Sequence, residues 1–279
     1  MSYHTIKLEV SGHVATLTLD RPDKMNAMNR EMQLELPQAI QQVENDAAVR
    51  AVIITGAGRC FSSGFDISGS VAGAPRTMQQ VRDTVKREND PFFRIWRSPL
   101  PFVAAVHGYC LGGACDLAMV CDITIAAESA QFGEPEIQFQ SASAFPVMPW
   151  VLGMKKTKEL LLTGDRIGAV EAERIGLVNR VVPGDGLLSE ARRMALKLAK
   201  IPLPAMQLNK QAINRIYDLR GFSSSIDLGG EFFAMVMMSD SEEHREFKRI
   251  AAEQGLKAAF KWRDARFEST EDAPADKQS

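Results

Sequence analysis

Cysteine is scarce in this sequence. Cys60, Cys110, Cys115 and Cys121 are the four present, and they show neither CxxC spacing nor the density of a disulfide scaffold. They read as reduced core thiols, and no metal site is expected from them. No charge of either sign dominates: 33 basic against 35 acidic side chains leave a formal net charge of −2, and no Lys/Arg cluster stands out. Neither nucleic acid nor an anionic membrane is therefore expected as a main partner. Long apolar runs are also missing. Leu100 to Val106 falls far below the roughly 18 residues of a membrane span, and the opening MSYHTIKLEV lacks the apolar region of a signal peptide. A cytoplasmic location is the expectation. What remains is an ordinary globular composition, 45% hydrophobic and 24% charged over 279 residues. That is enough for one large domain, or a core with a smaller appendage.

TIKLEV and HVATLTL read as two strands of a hairpin around Ser11-Gly12. Met32, Leu36, Ala39, Ile40 and Val43 carry helical periodicity. AVIITG, PFVAAV and DITIAA are short apolar runs of the kind buried strands show. Between them lie a helical pattern (Val81, Val85, Phe92, Ile95) and a stretch of helix length from Gly112 to Val120. This alternation predicts stacked ββα or βαβ units with mostly parallel pairing. From about Ser143 the pattern is helical, with helices expected over 184–200, 203–217, 221–239 and 241–260. FFAMVMM is apolar on too many sides for a free surface helix and belongs in the core or at a subunit interface. The polar tail over 268–279 is expected to be disordered.

The run HGYCLGGACDLAMVCD, from His107 to Asp122, carries the clearest chemistry. Glycines at a strand-to-helix turn let backbone approach a ligand, and the first helical turn leaves N–H groups without internal acceptors. Asp116 follows Gly113 by one turn on the same face. Backbone donors beside a carboxylate are what enolate chemistry needs. A helix cap or dipole partner is the competing reading for Asp116, but the surrounding helix is apolar nearly all round, so the carboxylate would be buried and would need a partner or a raised pKa. AQFGEPEI offers a second acid, Glu136, which would meet Asp116 if the DITIAA strand returns the chain to the same end. Glu134, just before Pro135, is the competing candidate and reads as a solvated loop position. In GRCFSSGFDIS, Gly64 permits a turn that frees the N–H of Phe65 or Asp66, although Asp66 also reads as a cap. His107 at the strand end reads as structural.

Together these stretches resemble the crotonase family, also called the enoyl-CoA hydratase/isomerase superfamily. The likeness runs from TLTLDRPDKMNAMN through AVIITGAGRCFSSGFDI, the glycine-rich run, AQFGEPEI and LTGDRIGAVEAERIGLVNRVV to AAFKWRDARF. It implies an α/β fold: a ββα spiral core over 1–200 with an acyl-CoA site, and a C-terminal α-helical trimerisation region over 201–267, assembled as a homotrimer or a dimer of trimers. It implies an oxyanion hole from the backbone N–H groups of Phe65 and Gly113, and catalytic acids at Asp116 and Glu136. CoA would lie along Lys24, Met25 and Ala27 and along Asp66, Ile67 and Ser68, with Phe260 and Arg263 completing the site of a neighbouring subunit. No cofactor is implied beyond the coenzyme A of the substrate, and no metal.

Hydratases of the family carry two glutamates at these acid positions. Here the first is Asp116, shorter by one carbon–carbon bond, about 1.5 Å. Dienoyl-CoA isomerases have Asp then Glu, plus a further Asp where this chain has Ala144. Where hydratases have a glycine-rich run, QSASAFPVMPW places Phe145 and Trp150, which would either reshape the acyl pocket or pack the core. The reading is a hydratase-type lyase acting on a 2-enoyl-CoA. An isomerase shifting the double bond is the first alternative, and a catalytically weak acyl-CoA-binding member is the second.

Overall fold

The computed structural model describes residues 3–68 and 77–271, with side chains through 267. Strands β1 (Ile6–Ser11) and β2 (Val14–Leu19) form the expected antiparallel hairpin, with Ile6 opposite Leu19. Helix α1 (Arg30–Glu44) starts where the Asn29 side chain accepts the Met32 N–H, and it buries the predicted stripe from Met32 to Val43. Strand β3 (Ala51–Gly56) follows. Helix α2 (Met78–Arg97) opens on a Thr77–Gln80 capping box and buries Val81, Val85, Phe92 and Ile95. Next come β4 (Phe102–Val106), β5 (Tyr109–Leu111), α3 (Gly113–Val120), β6 (Ile123–Ala127) and β7 (Gln131–Gly133), then a 3-10 turn over Pro135–Phe139.

Beyond Ser143 the chain is not purely helical. After α4 (Met154–Thr163) come β8 (Ile167–Gly168), α5 (Ala169–Arg174) and β9 (Arg180–Val182). Strands of two and three residues leave no periodicity in the sequence. Helices α6 (Leu187–Ala199), α7 (Leu203–Leu219) and α8 (Phe222–Met238) match expectation. The single helix expected from Ser241 is two, α9 (Glu242–Gln254) and α10 (Leu256–Glu271), parted at Gly255, whose φ of +87° a helix does not admit. Helix α10 runs into the segment expected to be a disordered tail, and residues 272–279 lie outside those described.

The main sheet has the order β1-β2-β3-β4-β6-β9, parallel from β2 onward. Its inner strands are buried on both faces, which is why they read as unbroken apolar runs. Val52, Ile54 and Ala104 face a core shared with α1, α2 and α3, while Ala51, Ile53, Val103 and Ala105 face Leu187, Ala191 and Ala195 of α6. A second, three-stranded sheet pairs β5 with β7 in parallel and β7 with β8 antiparallel. Helices α9 and α10 pack on a separate small core of Phe247, Ile250 and Ala259, joined by Ile67 and Phe139. All four cysteines are buried and free, as expected. Among the described residues no helix is long and apolar enough to cross a membrane.

Candidate active site

Two loops leave the ends of β3 and β4 and meet at glycine. A Cβ added to Gly64, whose φ is +93°, would lie 2.6 Å from the Leu111 carbonyl oxygen and 3.4 Å from the Gly113 nitrogen. Only a residue without a side chain lets the loops approach so closely. The Met28 N–H donates to the Gly64 carbonyl at 2.8 Å and the Asp66 N–H to the Met28 carbonyl at 3.1 Å, which brackets Phe65 on both sides. Behind it Asn26 is fully buried with φ +53°, a conformation Asn tolerates better than most residues. Its Nδ2 donates to the carbonyls of Ala57 and Cys60, both at 2.8 Å, and its own carbonyl accepts the Ser62 hydroxyl at 2.8 Å. Among the described residues, neither the Phe65 N–H nor the Gly113 N–H at the head of α3 donates to a protein acceptor. His107 is structural, its Nε2 3.0 Å from the Gly58 carbonyl.

The carboxyl groups converge through the second sheet. Leu111 pairs with Gly133, and the Gly112 N–H donates to the Gly133 carbonyl at 2.8 Å, so the turn that follows β7 lies against the head of α3. Thus the chain returns to Asp116 by way of β6, as the sequence requires if the two acids are to meet. Gly112 adopts φ +55° and ψ −131°, and a Cβ there would fall 1.5 Å from Glu136 Oε1. The missing side chain is the space the carboxyl fills. Asp116 is 1% exposed; its Oδ2 accepts the Ser143 hydroxyl at 2.9 Å, while Oδ1 is buried without a partner. Burial drives its pKa well up, Cys115 and Glu136 add to the rise, and the Ser143 hydroxyl opposes it. Glu136 is half-buried with Oε2 unpartnered. Desolvation raises its pKa to about 7, against backbone hydrogen bonding and the Arg263 charge, which act the other way.

Glu134 corrects the sequence reading. It is not solvated but 4% exposed, because the β5–β7 pairing draws it under the loop; burial first, then the charges of Asp116 and Glu136, hold its pKa high. Asp66 is a cap, as one reading had it: Oδ1 accepts the Ser68 N–H at 3.2 Å and the Ser68 hydroxyl at 2.6 Å, and Oδ2 pairs with Arg21 at 3.0 Å. Burial would raise its pKa, but Ser68 and Arg21 outweigh that and leave it lowered.

These groups open onto one cleft of about 680 Å³. Phe65, Gly113, Asp116 and Glu136 line it, as do Lys24, Met25, Ala27, Asp66, Ile67, Ser68, Phe260 and Arg263. The last two line the cleft from within this chain, where α10 folds back over Phe139. The Arg263 guanidinium lies 4.9 Å from the Phe260 ring centre and 5.7 Å from that of Phe139. Phe145 and Trp150 do not line the cleft. Phe145 is 0% exposed, edge-on to Phe92 and Phe93, and Trp150 packs on Phe222 while its Nε1 donates to Ser225 at 2.8 Å. Core packing is their role. Sequence reasoning missed Asn26 behind the loop, and in the lining Ser143 and the basic groups Arg21, Arg59, Arg166 and Lys248. The one signal for Asn26 was an Asn beside the turn-forming PDK.

The sequence profile described as "Enoyl-CoA hydratase/isomerase" matches residues 9–262. The chain belongs to the enoyl-CoA hydratase/isomerase family. It is 39% identical to a probable enoyl-CoA hydratase of Rhizobium meliloti over 78% of this chain and 84% of that one. It is 38% identical to the crotonyl-CoA hydratase of Syntrophomonas wolfei over 81% and 86%. A crystal structure of an enoyl-CoA hydratase/isomerase from Xanthobacter autotrophicus Py2 superposes with a TM-score of 0.92 at 41% identity, covering 95% of this chain and 99% of that one. The crotonase fold, with its C-terminal helices, is therefore common to both.

Proposed function

We propose that this protein is an enoyl-CoA hydratase that adds water across the double bond of a short-chain 2-enoyl-CoA thioester. One observation carries the reading: two acceptor-free N–H groups from separate loops and two carboxyl groups of raised pKa line one cleft. The thioester oxygen accepts from the Phe65 and Gly113 N–H groups, which stabilise the negative charge that gathers there as water attacks C3. Water gives its hydroxyl to C3 and a proton to the ionised member of the acid pair, and C2 receives a proton from the protonated member. The work is assigned to the Asp116–Glu136 pair rather than to either member. With a pKa of about 7, Glu136 populates both states near neutrality, where proton transfer is most effective. Hydration leaves the overall oxidation state unchanged and calls on no redox cofactor.

The short-chain assignment draws on relatives named crotonyl-CoA hydratase and, in Clostridium acetobutylicum, short-chain-enoyl-CoA hydratase. Coenzyme A lies along Lys24 to Ala27 and Asp66 to Ser68, with Phe260 and Arg263 above it. The exposed apolar side chains Leu208, Ile213 and Ile216 of α7 and Leu228, Phe232 and Met235 of α8 support self-association as a trimer or a dimer of trimers. Four buried free thiols suit a reducing compartment such as the cytoplasm. The deciding experiment incubates the protein with 2-enoyl- and 3-enoyl-CoA series and identifies the products. Hydroxyacyl-CoA from the 2-enoyl series supports the reading. Bond migration without any water addition overturns it in favour of an isomerase, and binding without turnover leaves only an acyl-CoA-binding protein.

A further inference from the structure

We propose that Ser143 is a positioning residue that holds Oδ2 of Asp116 and thereby makes Oδ1 the oxygen that exchanges a proton with water or substrate. This rests on the hydratase reading above. The Ser143 hydroxyl oxygen accepts the Phe145 N–H at 3.1 Å, which fixes it and leaves its own proton to donate to Asp116 Oδ2 at 2.9 Å. Both residues line the cleft, and Oδ1 is buried with no partner, so the two oxygens of one carboxyl are made unlike.

The loop that carries Ser143 is anchored on both sides. Asn89 Nδ2 of α2 donates to the Ala144 carbonyl at 2.8 Å, and the fully buried Phe145 is wedged edge-on against Phe92, Phe93 and Phe222. A serine so tethered cannot follow a rotating carboxyl, so it selects one orientation. That matters for an aspartate, whose short side chain leaves little reach to correct a misplaced oxygen, and misplacement by 1 Å can cost on the order of a hundredfold. The titratable groups facing Asp116 are Cys115 on α3 and Glu134 and Glu136 at the following turn, with Arg263 acting on Glu136 from α10. Against that surrounding, a donated hydrogen bond favours the ionised carboxylate.

The test compares kcat and KM across pH for hydration of crotonyl-CoA by the wild type, S143A, S143T, S143C and D116N. S143A is expected to lose about tenfold or more in kcat, to keep KM within about threefold, and to shift upward by about one pH unit the limb of kcat/KM that D116N abolishes. S143T, which keeps the hydroxyl, restores the limb, and S143C, with a weaker donor, falls between. Two limbs that both stay in place in S143A, whether or not kcat falls, reduce Ser143 to a packing residue and overturn the proposal. Full activity in D116N overturns the assignment of Asp116 itself, a separate failure that the Ser143 variants alone would not reveal.

Discussion

Replacing Glu136 with Gln removes a carboxyl whose pKa burial has raised from 4.5 to about 7. Because the folded value lies above the unfolded one, the native state keeps a proton between about pH 4.5 and 7 that the unfolded chain releases. This group's effect on stability is therefore nil below that window, turns unfavourable as pH rises through it, and is complete above pH 7. At 1.36 kcal/mol per unit, the full effect is about 3 kcal/mol. In a chain of this size that corresponds to roughly 5 °C in melting temperature. E136Q should thus melt about 5 °C higher than the wild type at pH 8, relative to their difference at pH 4.5. The comparison between pH values is the one that counts, because an unpaired amide at the orphaned Oε2 position costs the same at every pH. Scanning calorimetry from pH 4.5 to 8 at constant salt measures it. The same variant should lose on the order of a hundredfold or more in hydration, as expected for a proton-transferring group. A gap independent of pH, or one that closes as pH rises, would refute the reasoning that burial sets the proton affinity of this acid.

Three further changes test the architecture. G112A forces a side chain into a conformation suited to glycine and onto Glu136 Oε1; activity should fall about a hundredfold or more, with a loss of roughly 2 kcal/mol or more in urea unfolding. Lys210 is 7% exposed and donates to the Ile95 and Leu100 carbonyls and to Asp122 Oδ2, at 2.8 to 3.1 Å. K210A should cost about 1–3 kcal/mol by leaving two buried carbonyls short of a donor, since Asp122 is partly exposed and keeps the Phe102 N–H, with specific activity per folded molecule unchanged. F145L, outside the cleft, should cost about 1–2 kcal/mol in unfolding experiments and leave the preference among acyl chain lengths as it was.

What the sequence disclosed and what it hid divide along a physical line. The hairpin, the buried strands and the stripe of α1 depend on patterns within a dozen residues, and those patterns hold in the structure. Glu134 could not be placed because a residue before proline looks like surface loop, and only the pairing of β7 with β5 buries it. Gly112 and Gly113 were legible as places of close approach, but the approaching groups are the Glu136 carboxyl and the Phe65 ring, each from a distant segment. Phe145 and Trp150 stood in the right stretch to shape a pocket, yet their side chains turn into the core. The direction a side chain takes from an irregular loop has no periodic signal. Ser143 was hidden for the same reason.

The small core beneath α9 and α10 shares no buried residue with the cores of the sheet. A region held by so few apolar contacts is expected to open on its own, at a free energy below that of global unfolding. Amide protons of α9 and α10 should therefore exchange with solvent much sooner than those of β3 and β4. Phe139, on which this hairpin closes, stands three residues from Glu136 in the same turn. Opening of the hairpin would bare the turn that carries Glu136, so hydration activity should be lost on heating before the sheet melts.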